Sequence, residues 1–455
     1  MEPHSLPVLW TPQPVAAQLV EQFVSSLMAR SPWAVAMAQR MRQISATDFT
    51  AWLDQVVVAP DVSREATWSA AGFVGVQQAG TGRMHYQHPG GHFPMLVSDP
   101  QVPAAHLIMV VRVDSVESMR VVWGGEIAQG ALGSPGRSIR LAQGDDWAIE
   151  AVERHGGIDV PAVNRPVEVL LRHQESLRNR PRSGAPAALF RDLRQRVHLA
   201  VADLGQDEAC SRFFAAERDY WQQRNRAGRI QGGRQDALGL GWANHDHHTY
   251  RSSRRWFSEL IGVLALLGLQ VRERFHAGAE AGWGAQVLEN PRTGIVVFAD
   301  VDLTPEEIVG DLGQVQLPEL SHLGTVGLWC ALHGEAILDA GMHHLECTFL
   351  HDELTAQLRE LGVPMMKPFT DLTVLKQAFT QGERWPVSAR RLIDLVQRGA
   401  LTHAQAEDFR QHGALGSHLE NLERRDGYKG FNQRGVSHII AETDPRTQPA
   451  PRESV

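Results

Sequence analysis

The chain has 455 residues, 43% hydrophobic and 21% charged, with a formal net charge of −8. That is long enough for two domains with cores of their own, and it lacks the basic excess of a nucleic-acid-binding surface. Three scattered cysteines (Cys210, Cys330, Cys347) exclude a disulfide framework or a cysteine metal site and point to a reducing cytoplasm.

The start, Met1-Glu2-Pro3-His4-Ser5, lacks the basic-then-apolar pattern of a signal peptide. The most apolar stretch, Ile261 to Leu269, is too short to span a bilayer. Residues 1–60 read as helical, with apolar residues at helical spacing over Val15 to Met28 and Trp33 to Met41. From Thr67 to Val152, short β-rich runs alternate with Gly and Pro: Phe73 to Val76, Met95 to Val97, Leu107 to Val113 and Val121 to Trp123. Within that region His85, His88 and His92 could hold zinc or iron. Pro89-Gly90-Gly91 reads instead as a tight turn, and no carboxylate completes a site, so a structural turn is expected. Residues 166–228 return to helix, with Arg180 to Pro186 as an exposed link. Ala227 to Gly241, with five glycines, reads as a break. It divides an N-terminal mixed α/β and helical region (1–235) from a C-terminal domain (236–455).

That domain opens on Asn244-His245-Asp246-His247-His248-Thr249-Tyr250-Arg251. As a strand, it places His245, His247, Thr249 and Arg251 on one face and Asp246, His248 and Tyr250 on the other. Trp256, Leu260, Val263, Leu264 and Leu267 then form a helical stripe, followed by strand runs Gln270 to Phe275, Gly284 to Leu288 and Gly294 to Phe298. A related order recurs: strand Met342 to Leu350, helix His351 to Gly362, and strands Val363 to Lys367 and Thr373 to Thr380. A charged helical insert, Val387 to Gln411, precedes a last strand, Ser417 to Arg425. Two strand-helix-strand-strand-strand modules facing one another make a half-open barrel around a cavity.

Alternation turns Met342, His344, Glu346 and Thr348 toward that cavity and His343, Leu345, Cys347 and Phe349 toward the helix. In the last strand His418, Glu420, Leu422 and Arg424 share a face. Glu423 replaces Glu420 if the register slips by one residue. His247, His344 and Glu420 together supply two neutral nitrogens and one carboxylate, the facial triad for non-haem Fe(II). Arg251 supplies a planar fork for a substrate carboxylate. His248 and His343 are expected to be structural.

These residues resemble the vicinal-oxygen-chelate superfamily and, within it, the 2-oxoadipate dioxygenase/decarboxylase (hydroxyglutarate synthase) family, over about residues 240–445. His247 to Arg251 resembles that family's His-x-x-x-Arg element, His343-His344-Leu345 its Asn-His-Leu motif, and Glu420 to Arg424 its Glu-x-x-x-Arg segment. Leu375-Lys376-Gln377 is similar to a Leu-x-Gln segment. Gly430-Phe431, Val436-Ser437 and Ile439 to Thr443 resemble a closing stretch that lines the substrate pocket. More distantly, the same features resemble 4-hydroxyphenylpyruvate dioxygenase. His344 is not followed by the Thr-Pro-Arg of the oxoadipate enzymes, and residues 1–235 match neither.

The resemblance implies an α+β fold, a half-open barrel of paired βαβββ-like modules, preceded by the N-terminal α/β and helical region. It implies an Fe(II)-dependent dioxygenase, cytoplasmic on the cysteine count, that decarboxylates a 2-oxo acid, a 2-oxoadipate-like diacid, to a 2-hydroxy acid and carbon dioxide. His247, His344 and Glu420 would hold the metal, and Arg251, Gln377, Val436 and Ser437 would bind substrate, with Arg251 also serving catalysis. The partners are then a small 2-oxo acid and dioxygen, with no nucleic acid and no membrane, and a homo-oligomer is left open. The alternatives are a non-redox metal-dependent isomerase or lyase on the same barrel, and a non-catalytic binding protein.

Overall fold

The computed structural model describes residues 10–130, 136–153, 166–276, 282–309, 312, 316–370, 372–431, 444 and 446. Helices α1 (Pro14–Arg30) and α2 (Pro32–Ser45) each begin on a proline, whose missing N–H costs nothing in a first turn. Ser31 between them accepts from the Ala34 amide as the cap of α2. A single turn, α3 (Phe49–Trp52), leads into the first sheet.

That sheet is built from one unit used twice. The first unit is β1 (Leu53–Val58), α4 (Val62–Ala70), β2 (Val74–Gln77), β3 (Met84–Gln87) and β4 (Met95–Ser98). The second is β5 (Leu107–Val113), α5 (Val116–Trp123), β6 (Glu126–Gln129), β7 (Ser138–Gln143) and β8 (Trp147–Glu153). The strand order is β2-β3-β4-β1-β5-β8-β7-β6, with β1 parallel to β4, β5 parallel to β8, and β1 antiparallel to β5. Much of the N-terminal region is therefore itself a pair of βαβββ modules. Val121 to Trp123, expected as a strand, ends α5 instead. Ser115 caps that helix, and its apolar side is Val116 and Met119, so Val121 is left 85% exposed.

Four helices follow: α6 (Val167–Arg178), α7 (Pro186–Leu204), α8 (Gln206–Arg224) and α9 (Arg226–Asp236). Between α6 and α7 the expected exposed link is anchored. Arg180 is buried and donates to Glu217 Oε1 at 2.6 Å and to the Ile337 carbonyl at 2.7 Å. A guanidinium leaves water on these terms because the Glu217 carboxylate meets its charge. The glycine-rich segment is largely α9, capped by Asn225, whose Oδ1 accepts from the Gly228 amide. Gly228 and Gly232 are buried there against Trp221 and Gln222, where a Cβ would clash.

The second sheet repeats the plan. Its first module is β9 (His245–Arg251), α10 (Phe257–Leu266), β10 (Gln270–His276), β11 (Trp283–Asn290) and β12 (Ile295–Asp302). After α11 (Thr325–His333) and a π-helical turn, Ala336–Ala340, comes the second: β13 (His344–Cys347), α12 (His351–Glu360), β14 (Leu375–Phe379), β15 (Glu383–Trp385), the insert α13 (Ala389–Gln397) and α14 (His403–His412), and β16 (Ala414–Arg424). The order is β10-β11-β12-β9-β13-β16-β14, with β15 continuing β14 along β16. The strand expected over Val363 to Lys367 is reduced to one bridge, Met365 to Thr380. The fold is α+β, two sheets of paired βαβββ modules. No described helix is long and apolar enough to cross a membrane.

The core of the second sheet reaches back to α6. Phe190, Leu193 and Val197 of α7 and Phe213, Phe214 and Trp221 of α8 share one cluster with Tyr250, Phe257 and Leu260. A chain starting at Asp236 would expose these partners, at about 1.5–3 kcal/mol for each large side chain uncovered. It is expected to be insoluble or unfolded by circular dichroism, whereas a chain starting at residue 166 keeps a cooperative melt. Equal solubility of the two would show that these helices are dispensable to the second core.

Candidate metal centre

The register of three neighbouring strands builds the site. Glu346 on β13 lies opposite His247 on antiparallel β9 and opposite Glu420 on parallel β16. Paired residues point to the same side of a sheet, so the three make one row across it. Their donor atoms all lie within 4.8 Å of one another, and all three side chains are buried. His344, one pleat along the same face, brings its Nε2 to 2.6 Å from Glu346 Oε1 and 3.7 Å from Glu420 Oε2. His247 Nε2 is 3.2 Å from Glu346 Oε1. Among the described residues this is the only group of its kind.

Surrounding residues hold the donors in place. Asp246 Oδ1 lies 2.9 Å from His247 Nδ1, so Nδ1–H donates to it and the Nε2 lone pair faces the cavity. Burial works against a charged Asp246, yet the Arg424 guanidinium holds its carboxyl well below the usual range. Arg424 donates to Asp246 through Nε and Nη2, each at 3.1 Å, and through Nη1 to the Gly430 carbonyl at 2.6 Å. Phe298 and Phe431 pack on the His247 ring at centroid distances of 4.3 and 5.2 Å. Thr249 Oγ1 donates to Glu346 Oε1 at 2.8 Å, and Gln377 Nε2 to Glu420 Oε1 at 2.7 Å. Gln377 thus sits beside the metal row, holding a carboxylate. Val436 and Ser437 lie outside the described residues.

Alternation accounts for the neighbours. His248 packs on Phe214 with ring centroids 4.8 Å apart and the planes tilted. His343 packs on Trp329 at 5.5 Å, and its Nδ1 lies 2.6 Å from His344 Nδ1. Glu423 points away from the row, and its Oε2 accepts the His351 amide at the start of α12. His85, His88 and His92 do not converge: His85 meets Met95 and Gln78, His88 meets the Ala71 carbonyl, and the His92 amide meets the Gly427 carbonyl.

The electrostatics ask for a cation. Burial pushes Glu420 up to about 7. Burial first and the Glu420 charge second push Glu346 well above the carboxylate range. Burial also holds His247 and His344 below the usual imidazole value. Two buried carboxyls facing neutral imidazoles must share a proton or hold a metal, and Glu346 Oε2 has no hydrogen-bond partner. The donor set therefore fits a divalent ion.

A pH dependence follows. A raised carboxyl pKa means that the folded chain keeps protons the unfolded chain has released. Metal-free stability should then fall as pH rises from the usual value of 4.5 through about 7 for Glu420, and to about 8 for Asp300, raised by its burial. The buried neutral histidines act oppositely, losing stability as pH falls below 6.5. Above pH 6.5 the carboxyl effect dominates, so the metal-free melting temperature should drop while affinity for a divalent metal rises over the same range. A metal affinity that is flat with pH would mean that no shared proton is displaced.

Arg251 occupies the same face of β9 beyond Thr249, opposite Asp300 of β12. It is 4% exposed, its Nε has no partner, and its guanidinium lies 5.8 Å from the Trp329 ring centre. No carboxylate among the described residues comes within ion-pairing distance of it. Asp300, and less strongly Asp302 and Asp444, support its charge without a direct bond, and a buried guanidinium with no anion in contact is costly.

Neither a protein-family model nor a curated protein matches the sequence. Among solved structures, the chain is similar to a 4-hydroxymandelate synthase mutant from Streptomyces coelicolor, at 14% identity over 88% of this chain and 99% of that one, with a TM-score of 0.25. It is similar to methylmalonyl-CoA epimerase from Mycobacterium tuberculosis, at 12% identity over 40% and 88%, with a TM-score of 0.22. A xylose isomerase-like TIM barrel/4-hydroxyphenylpyruvate dioxygenase fusion protein matches at 11% identity over 94% and 57%, with a TM-score of 0.23. Likenesses this distant say nothing of the reaction. The strand order and the module repeat are the paired βαβββ arrangement expected from the sequence.

Glu346 is the donor that sequence reasoning left out of the ligand set. Its signal was present, since alternation already turned it to the cavity two residues after His344.

Proposed function

We propose that the chain is an Fe(II)-dependent dioxygenase that decarboxylates a 2-oxo acid, a 2-oxoadipate-like diacid, to a 2-hydroxy acid and carbon dioxide. The observation that carries this reading is Arg251, a buried guanidinium lacking a carboxylate partner, on the strand face that presents His247. Such a group binds a carboxylate through two parallel charge-assisted bonds. His247, His344 and Glu420 would hold the metal, with Gln377 orienting Glu420 and Asp246 orienting His247. A bound Fe(II) supplies the template for substrate and dioxygen and the redox capacity for oxidative decarboxylation. The chain's own part is to fix the far carboxylate at Arg251 and exclude water with Phe298 and Phe431.

Metal analysis of protein purified without oxygen, then oxygen uptake and carbon dioxide release across 2-oxo acids with 2-oxoadipate first, tests the proposal. Iron-loaded protein that consumes no oxygen with any of them ends it.

Glu346 favours a second reading. If it joined the other three as a ligand, four side chains would hold the metal and leave less room for a chelating substrate together with dioxygen. A non-redox isomerase or lyase, with Glu346 moving a proton, would then result. Glu346→Gln separates the two: an oxygenase keeps oxygen uptake, and an isomerase loses its proton carrier.

A further inference from the structure

Between the two sheets lies a cleft of about 520 Å³, lined from the N-terminal side by β2, the 88–94 segment and β5, and from the other by Asp246, Arg272, Glu289, Arg424 and Phe431. Its size is that of a small-molecule site. Two of its four cations are satisfied. Arg424 is held by Asp246, and Arg272 by Glu273 at 2.7 Å and Glu289 at 3.3 Å. The other two are not.

Arg112 is half-buried. Its Nη2 donates to the Leu53 carbonyl at 3.2 Å, its Nε is buried without a partner, and no carboxylate among the described residues pairs with it. Lys429, also half-buried, lies 5.1 Å over the Trp10 ring and has no carboxylate in contact among the described residues. Asp54 is the one acid in the cleft with no cation in contact. It accepts from Gln55 at 3.3 Å and offsets part of this charge from a distance. The remaining wall is mixed: Val74, Phe93, Met95 and Phe431 give an apolar patch, and Gln87, His88 and His92 add polar groups.

We infer that this cleft binds an organic carboxylate with an apolar body, its acid group between Arg112 and Lys429 and its body against Phe93 and Met95. Half-buried cations without anions, beside an apolar patch, suit a ligand carrying both features. Asp246, Arg424 and Phe431 stand between this cleft and His247, so the two sites share a wall, but the inference rests on Arg112 and Lys429 and does not depend on which reaction the metal centre performs. The Arg112 charge is on a strand of the N-terminal sheet and the Lys429 charge follows the last strand of the other, so the ligand would bridge the two halves.

The test is calorimetric titration of the full chain with phenylacetate and hexanoate, with acetate lacking the apolar body and 2-phenylethanol lacking the charge. Phenylacetate should bind at one site and each control at least about tenfold more weakly. Arg112→Gln and Lys429→Met should each weaken phenylacetate about tenfold or more. Val74→Trp, on a strand where Val74 is 56% exposed, fills the cleft without touching a charge or the core and should abolish binding. Arg251→Ala should leave it unchanged. The inference is overturned if wild type binds no phenylacetate at millimolar concentration, if binding survives Val74→Trp and both charge variants, or if Arg251→Ala removes it. The last result would locate the carboxylate at the metal cavity instead.

Discussion

Glu420→Ala and His247→Ala should each lose divalent metal by at least about a hundredfold in affinity, since each removes a ligand and leaves the remaining carboxyl and imidazole too few to hold the ion. Glu346→Ala and His344→Ala test which of the two neighbours on β13 completes the set. The one that binds directly should match Glu420→Ala. One that only supports should fall about ten- to a hundredfold. His343→Ala belongs in that supporting range, because its Nδ1 contacts His344 Nδ1. His248→Ala should keep its metal and lose stability by roughly 2–5 kcal/mol, as a cavity opens against Phe214. A further sign separates ligand loss from misfolding. Above pH 7 metal-free Glu420→Ala should melt higher than metal-free wild type, because a buried carboxylate has been removed. Equal metal loss from His248→Ala and His247→Ala would reject the assignment of strand faces.

Arg251→Ala should retain metal and require about ten- to a hundredfold more substrate, the cost of one charge-assisted pair of 1.5–3 kcal/mol. Arg251→Lys keeps the charge without the planar fork and should fall between. Stability carries independent information. A structural ion pair broken by the same change would cost about 3–5 kcal/mol. Removing a buried guanidinium that has no carboxylate partner should leave the melting temperature unchanged or raised. Wild-type turnover by Arg251→Ala would mean that no carboxylate docks there, and the diacid reading would go with it. Loss of metal in that variant would mean that Arg251 supports the ligands.

The second half of the fold was legible because its signals are local. The alternation of His245 to Arg251, the stripe from Trp256 to Leu267 and the repeat of strand, helix and strands need no knowledge of partners. The row of donors was less so. Glu346 faces the cavity on alternation alone, but only the pairing of β13 with both β9 and β16 sets it opposite His247 and Glu420. Register between distant strands is a tertiary property. The N-terminal modules were hidden for another reason. Four of their strands, β2, β3, β4 and β6, are only four residues long, too short for a clear period. Two of these, β2 and β6, are exposed throughout and carry no alternation of burial at all. The buried pairing of Arg180 with Glu217 was equally out of reach, since a cluster of arginine, proline and glycine reads locally as solvent-facing.

The two sheets share one pattern of parallel and antiparallel neighbours. Where the second carries Val296, His247, Glu346 and Glu420 across four strands, the first carries a row of the same kind made of Val97, Val57, Ile108 and Ala148. Four copies of one unit in one chain is the arrangement that two rounds of tandem duplication leave. A backbone ladder is indifferent to what its side chains do, so after such a doubling one copy can carry reactive groups while the other carries aliphatic ones in the same row. The silent half is then free to evolve as scaffold, and chemistry lost from it leaves no scar in the topology.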